Sequence, residues 1–228
     1  MVSSSNTTRP DFGNLDAARF RALAAERLFA PGRAPVGDFL FNPGLRDWVV
    51  HRALRPAAVL IPVVERHGGL SVVMTKRTEH LASHSGQVAF AGGKIDDQDG
   101  GSVAAALREA HEEIGLDAAH VDVLGVMPDY LSGSGFRIAP VVALVDAHAE
   151  LAANQDEVEY IFEVPLGFLL NSDNHRLGSR PFEGKRRYYI EMPFGEHYIW
   201  GVTAGIIRQF HERLTGEPPM AAAALEQA

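Results

Sequence analysis

An α/β (α+β) fold, a mixed β-sheet sandwiched between helices, is predicted by three observations. Apolar runs of strand length outnumber helical patterns. The helical patterns fall near the start, middle and end of the chain rather than between every pair of strands. The chain has 228 residues, 46% hydrophobic and 22% charged, which suits one globular domain.

In chain order, residues 1–13 are Ser/Thr/Asn-rich at first and are expected to be disordered. Asn14-Leu15-Asp16 opens a helix to about Phe29, with Phe20, Leu23, Ala24 and Leu28 on its apolar side. Pro31 to Asp47 is Pro/Gly-rich and reads as irregular. Ala57–Glu65 and Leu70–Arg77 are apolar strands joined by the turn Arg66-His67-Gly68-Gly69, hence a hairpin. Gln87–Phe90 is a short strand feeding a glycine-rich loop. Strands follow at Val121–Met127, Arg137–Val145 and Val158–Val164, with a short helix from Leu166 to Leu170. Late strands at Arg186–Glu191 and His197–Trp200 flank a Pro193-Phe194-Gly195 turn. Gly201–Leu214 is a last helix aligning Val202, Ile206 and Phe210, and residues 215–228 read as a flexible tail. With no internal repeat and no linker, 14–214 form a single domain.

The chemistry concentrates in the loop Phe90–Ser102 and the helix Val103–Ile114. Ser102 suits an N-cap and Gly115 a C-terminal stop. Val103, Leu107, Ala110 and Ile114 make an apolar stripe, and Glu109, Glu112 and Glu113 share a face turned away from it. Three clustered carboxylates repel each other, so folding alone gives no reason to group them. A divalent cation does, because hard cations take oxygen ligands. A solvated acidic face is the bland alternative, and the flexible glycines at Gly92, Gly93, Gly100 and Gly101 weigh against it.

These residues resemble the Nudix box: glycine, five residues, an acid, seven residues, then Arg-Glu-apolar-x-Glu-Glu-x-Gly-apolar. Arg108-Glu109-Ala110-His111-Glu112-Glu113-Ile114-Gly115-Leu116 fits the second half at every fixed position. In the first half Asp99 replaces the usual glutamate, and eight residues rather than seven separate it from Arg108. The preceding stretch, Thr75-Lys76-Arg77 through His84-Ser85-Gly86-Gln87-Val88-Ala89-Phe90-Ala91-Gly92-Gly93, is similar to coenzyme A pyrophosphatase-like Nudix proteins. Ala82 and Ala91 depart there from a usual arginine and proline.

The resemblance implies a Nudix fold and Mg2+- or Mn2+-dependent attack of water on a nucleoside diphosphate. It assigns Glu109, Glu112 and Glu113, with a backbone carbonyl near Gly93, as metal ligands. Arg108 would brace a glutamate. Glu112 and Glu157 are both candidates for the general base. Lys76, Arg77, His84 and Gln87 are the candidate substrate contacts. Coenzyme A or acyl-coenzyme A would yield 3′,5′-ADP and (acyl-)4′-phosphopantetheine; ADP-ribose is the alternative substrate, and a non-catalytic ligand sensor ranks lower because the carboxylates are intact.

Other classes are excluded by composition. A formal charge of −8 argues against a nucleic-acid surface, and the absence of cysteine removes disulfides, thiolate metal sites and cysteine nucleophiles. No apolar run approaches the roughly 20 residues of a membrane helix, and no signal-peptide core is present. A cytoplasmic protein is expected, with a homodimer left open.

Overall fold

The computed structural model describes residues 12–29, 36–81 and 84–217. Helix α1 is Ala17–Arg27, followed by strand β1 (Val36–Gly37) and helix α2 (Arg46–Val50). Then come β2 (Arg55–Arg66), β3 (Gly69–Arg77), β4 (Val88–Ala89), β5 (Gly92–Lys94) and α3 (Ser102–Ile114). Strands β6 (Val121–Val126), β7 (Tyr130–Leu131), β8 (Phe136–Val145) and β9 (Val158–Pro165) lead to the short α4 (Leu166–Leu169). Strands β10 (Arg176–Phe182), β11 (Lys185–Phe194) and β12 (His197–Trp200) precede α5 (Gly201–Thr215).

The expected mixed sheet is present, with nine strands among the described residues. Its axis is β2, which pairs in parallel with β8 from Arg55↔Phe136 to Val64↔Val145. Residues from Ala57 to Val64 are almost all buried, which explains why that stretch is continuously apolar rather than alternating. One face of the sheet carries α3, whose Ala105, Ala106, Ala110 and Ile114 join Ala58, Leu60 and Val64 in one core. The other face builds a larger core with Phe20 and Leu28 of the α1 region and Ile206, Phe210 and Leu214 of α5.

The sheet opens where the site is built. Strands β2 and β3 pair only near their turn, from Val63↔Val72 to Arg66↔Gly69. Beyond that they part. β3 continues against β4 (Thr75↔Ala89, Lys76↔Val88), and β2 against β5 (Ala57↔Lys94 to Val59↔Gly92). The segment 88–94 therefore fills the fork, and carries the glycine loop into it.

Several expectations are corrected. Phe12–Asn14 is a 3₁₀ turn with Phe12 buried, so Phe12 and Gly13 are folded; residues 1–11 lie outside the described ones. Asp16 caps α1, accepting the Arg19 amide at 2.7 Å. The 36–50 stretch is more regular than its Pro/Gly content implies, with 3₁₀ turns at Asp38–Leu40 and Pro43–Leu45 before α2. Gly101, not Ser102, occupies the N-cap of α3 and offers no side-chain bond, while Gly115 closes the helix at φ 67° as expected. The final helix runs through Thr215, and Glu217 accepts from His211 Nε2 at 2.9 Å, so 215–217 belong to the domain. Residues 218–228 lie outside the description.

A second sheet, β10-β11-β12, is an addition. Strand β10 escaped sequence reading because Arg-Leu-Gly-Ser-Arg-Pro-Phe shows no alternation and is largely exposed. Pro193 and Phe194 belong to β11, and the chain reverses at Gly195 and Glu196.

Candidate active site

Small side chains seat α3. Alanines at 105, 106 and 110 let the helix lie close on β2 and β8, and Val103 and Leu107 are only half-buried. This rotates the helix so that Glu113 turns inward beside Ile114. The three glutamates therefore do not share one solvated face. Their side chains are 16%, 52% and 2% exposed for Glu109, Glu112 and Glu113. Burial pushes the Glu113 carboxyl up to about 7, against the lowering pull of Arg77 and the Gly92 amide. Burial also raises Glu109, opposed by Arg108.

Arg108 is fully engaged. Its Nε and Nη2 donate to the two Asp99 oxygens at 3.0 Å each. Its Nη1 reaches Glu109 Oε1 at 3.1 Å and Glu112 Oε2 at 3.0 Å, and Nη2 also donates to the Lys94 carbonyl at 3.1 Å. Although grouped above with the catalytic residues, Arg108 positions carboxylates. Asp99 is its anchor: the side chain is 7% exposed, accepts the Asp96 amide at 2.8 Å, and is held below the usual carboxylate range by Arg108. The Glu-to-Asp departure in the loop thus supplies a bidentate clamp, a role that sequence reading left unassigned.

A second arginine works from the sheet. Arg77 Nη1 pairs with Glu113 Oε1 at 3.1 Å, and its Nη2 lies 3.8 Å from Glu157 Oε2. Glu113 Oε2 in turn accepts the Gly92 amide at 3.2 Å. Glu157, remote in sequence, is thereby brought beside the helix acids, and its charge contributes to raising both Glu109 and Glu113. Arg77 Nε is buried without a partner.

The loop glycines have different jobs. A Cβ on Gly92 would meet the Ala58 carbonyl oxygen at 2.4 Å and Val59 Cα at 2.7 Å, so only glycine lets β5 lie so close on β2. A Cβ on Gly93 would meet Glu109 Oε1 at 2.4 Å, so the Glu109 carboxylate rests directly against Gly93.

Of the four substrate candidates, Arg77, His84 and Gln87 line a cleft of about 450 Å³ together with Gly93. His84 Nδ1 and Gln87 Oε1 are 3.0 Å apart. Lys76 is a correction. Side chains alternate along β3, so Lys76 leaves by the face opposite Arg77. It pairs there with Glu159 at 3.0 Å and Glu79 at 3.8 Å, over the Tyr160 ring, outside the cleft. Ala82 lies outside the described residues. Sequence reading also missed Asp38, a cleft carboxylate that accepts from the Tyr130 hydroxyl and the Gly133 amide, both at 2.7 Å. Burial raises its pKa. Its Pro/Gly-rich context carried no signal.

Among the described residues, no three Asp, Glu or His side chains converge on one point as they stand, because Arg77 and Arg108 each draw carboxylates to themselves. The donor chemistry nevertheless fits a hard divalent cation. Glu109 and Glu113 are oxygen donors whose pKa is raised by burial, and a bound cation would favour their charged form.

Known proteins resemble this chain in sequence and in fold. The NUDIX domain profile matches residues 54–182. The Nudix hydrolase NudL of Enterobacter sp. (strain 638) is 38% identical over 183 residues, covering 78% of this chain and 92% of that protein. NudL of Escherichia coli (strain K12) is 40% identical over 166 residues, covering 72% and 85%. Among solved structures, the Mycobacterium smegmatis Nudix hydrolase RenU superposes with a TM-score of 0.50 at 17% identity, covering 84% of this chain and 96% of that one, a likeness of fold.

Proposed function

The chain belongs to the Nudix family of pyrophosphohydrolases, and on that premise we propose that it hydrolyses the diphosphate of coenzyme A or acyl-coenzyme A. The products are 3′,5′-ADP and (acyl-)4′-phosphopantetheine. The observation that carries the reading is the cleft itself: Arg77, His84 and Gln87, from the coenzyme A pyrophosphatase-like segment, line it with Gly93 beside the α3 acids.

Glu109, Glu112 and Glu113, with the Gly93 carbonyl, would hold Mg2+ or Mn2+. Such an ion neutralises diphosphate oxygens and lowers the pKa of a bound water. The chain's own residues do the rest. Arg108 fixes Glu109 and Glu112 in one arrangement, with Asp99 as its fixed end. Arg77 compensates the buried Glu113 and holds Glu157 near it. Glu112 and Glu157, both about half exposed, are the candidates to take a proton from the attacking water.

A kinetic panel tests the substrate. With Mg2+ and with Mn2+, kcat/KM for coenzyme A should exceed that for ADP-ribose at least about ten-fold, equivalent to roughly 1.4 kcal/mol at the transition state. A preference for ADP-ribose overturns the coenzyme A assignment.

A further inference from the structure

The small sheet contributes a wall to the same cleft, and that wall has chemistry the diphosphate reaction does not use. Arg180 on β10 and Arg187 on β11 are direct cross-strand partners. Like charges facing each other across a strand pair destabilise a sheet. Neither forms an ion pair within 4 Å among the described residues, and both line the cleft. The Arg180 guanidinium instead lies 4.8 Å from the centre of the Trp200 ring, and that of Arg187 lies 4.4 Å from the centre of the Phe182 ring. The carboxylate that Arg187 feels is Asp38, whose oxygens are already taken by Tyr130 and Gly133.

The same face carries an aromatic shelf. Tyr189 stands two residues after Arg187 on β11, and its ring covers Gly178 of β10: a Cβ there would meet Tyr189 Cε2 at 2.7 Å. Trp200 packs edge-on against Tyr189 with centroids 5.2 Å apart, and both line the cleft. Glu191, on the same face, accepts from the Tyr198 hydroxyl.

Two facing guanidiniums with free donors need an anion, and a flat aromatic surface beside them suits a base. We propose that Arg180 and Arg187, beside the Tyr189–Trp200 shelf, form a second anion subsite that binds a 3′-phosphomonoester on the ribose of the nucleotide whose diphosphate lies at α3. This rests on the coenzyme A reading, and it gives that reading a structural reason: ADP-ribose carries no third phosphate for the pair to hold.

The test is calorimetric binding of adenosine 3′,5′-bisphosphate, adenosine 2′,5′-bisphosphate and AMP to the full chain, which needs no turnover. The 3′,5′-bisphosphate should bind about ten-fold more tightly than AMP. The double variant Arg180→Ala/Arg187→Ala should erase that ratio, and Arg180→Lys/Arg187→Lys, which keeps the charge and the fold, should restore much of it. Equal affinities for the 3′,5′-bisphosphate and AMP in the wild-type chain, or a ratio that survives the alanine variant, would overturn the subsite. Tighter binding of the 2′,5′-bisphosphate overturns the 3′ assignment. Coenzyme A hydrolysis without that ratio sinks the subsite and leaves the proposed reaction standing; the ratio without hydrolysis does the reverse.

Discussion

Two helices of this protein carry the same local pattern, an arginine four residues before a glutamate, and use it oppositely. On α3, Arg108 Nη1 and Glu112 Oε2 are 3.0 Å apart, with side chains 30% and 52% exposed. On α5, Arg208 Nε and Glu212 Oε1 are 2.6 Å apart, with 9% and 7% exposed. The α5 pair sits in a closed set. Arg208 faces His175 Nδ1 at 3.4 Å, while His175 and His211 hydrogen-bond the Leu169 and Leu170 carbonyls. The α3 pair sits in an open set, beside a cleft, with two other acids raised by burial. A helical ion pair thus becomes a lock or a piece of chemistry according to what covers it.

The largest effect is expected on the open side. Glu112→Gln should lower kcat by about 10²–10⁴-fold with an unchanged thermal melt, since a half-exposed carboxylate contributes little to folding. Normal turnover at saturating Mg2+ removes Glu112 from the site.

The closed side should respond in stability. Arg208→Ala removes the 2.6 Å partner of the buried Glu212 and should cost about 3–5 kcal/mol in denaturant unfolding. Arg108→Ala should cost less, about 1–2 kcal/mol, because Asp99 keeps the Asp96 amide and Glu112 faces solvent, yet reduce kcat roughly 10–100-fold. If the two variants lose similar stability, the contrast between the helices fails.

The neighbouring glycines sharpen the same division within the loop. Gly92→Ala drives a methyl into the β2 backbone and should destabilise by roughly 1–3 kcal/mol. Gly93→Ala meets only the end of Glu109, so its melting temperature should stay near wild type while activity falls. Equal melting-temperature losses would show that Gly93 is a packing residue as well.

A further effect is graded with pH. Burial pushes the His175 imidazole down to about 4 from an ordinary 6.5. The unfolded chain therefore takes up a proton first as pH falls. Its contribution is fully present above about 6.5 and is lost down to about 4, with a slope of at most about 1.4 kcal/mol per pH unit. Stability curves of His175→Gln should be flatter than wild type across that window; parallel curves would refute the assignment.

Much of the site was legible because its information is local. The apolar runs of β2, β3 and β8 marked the sheet, and the spacing of Glu109, Glu112 and Glu113 marked the acids. Local patterns place residues on an element, but they do not say what the element is turned against. Hence Glu113 was read as exposed, Lys76 was grouped with Arg77, and the polar half of α5 gave no hint that Arg208, His211 and Glu212 are buried. The small sheet was missed in part because β10 buries too little apolar surface to alternate.

Sequence alone determined the fold class, the acid-bearing helix and its arginine, because periodicity and spacing act over a few residues. Only the tertiary structure decided which acids are buried, how Glu157 reaches Arg77 across eighty residues, and that Arg180 faces Arg187. Those depend on burial and strand register, which arise when distant segments share one core.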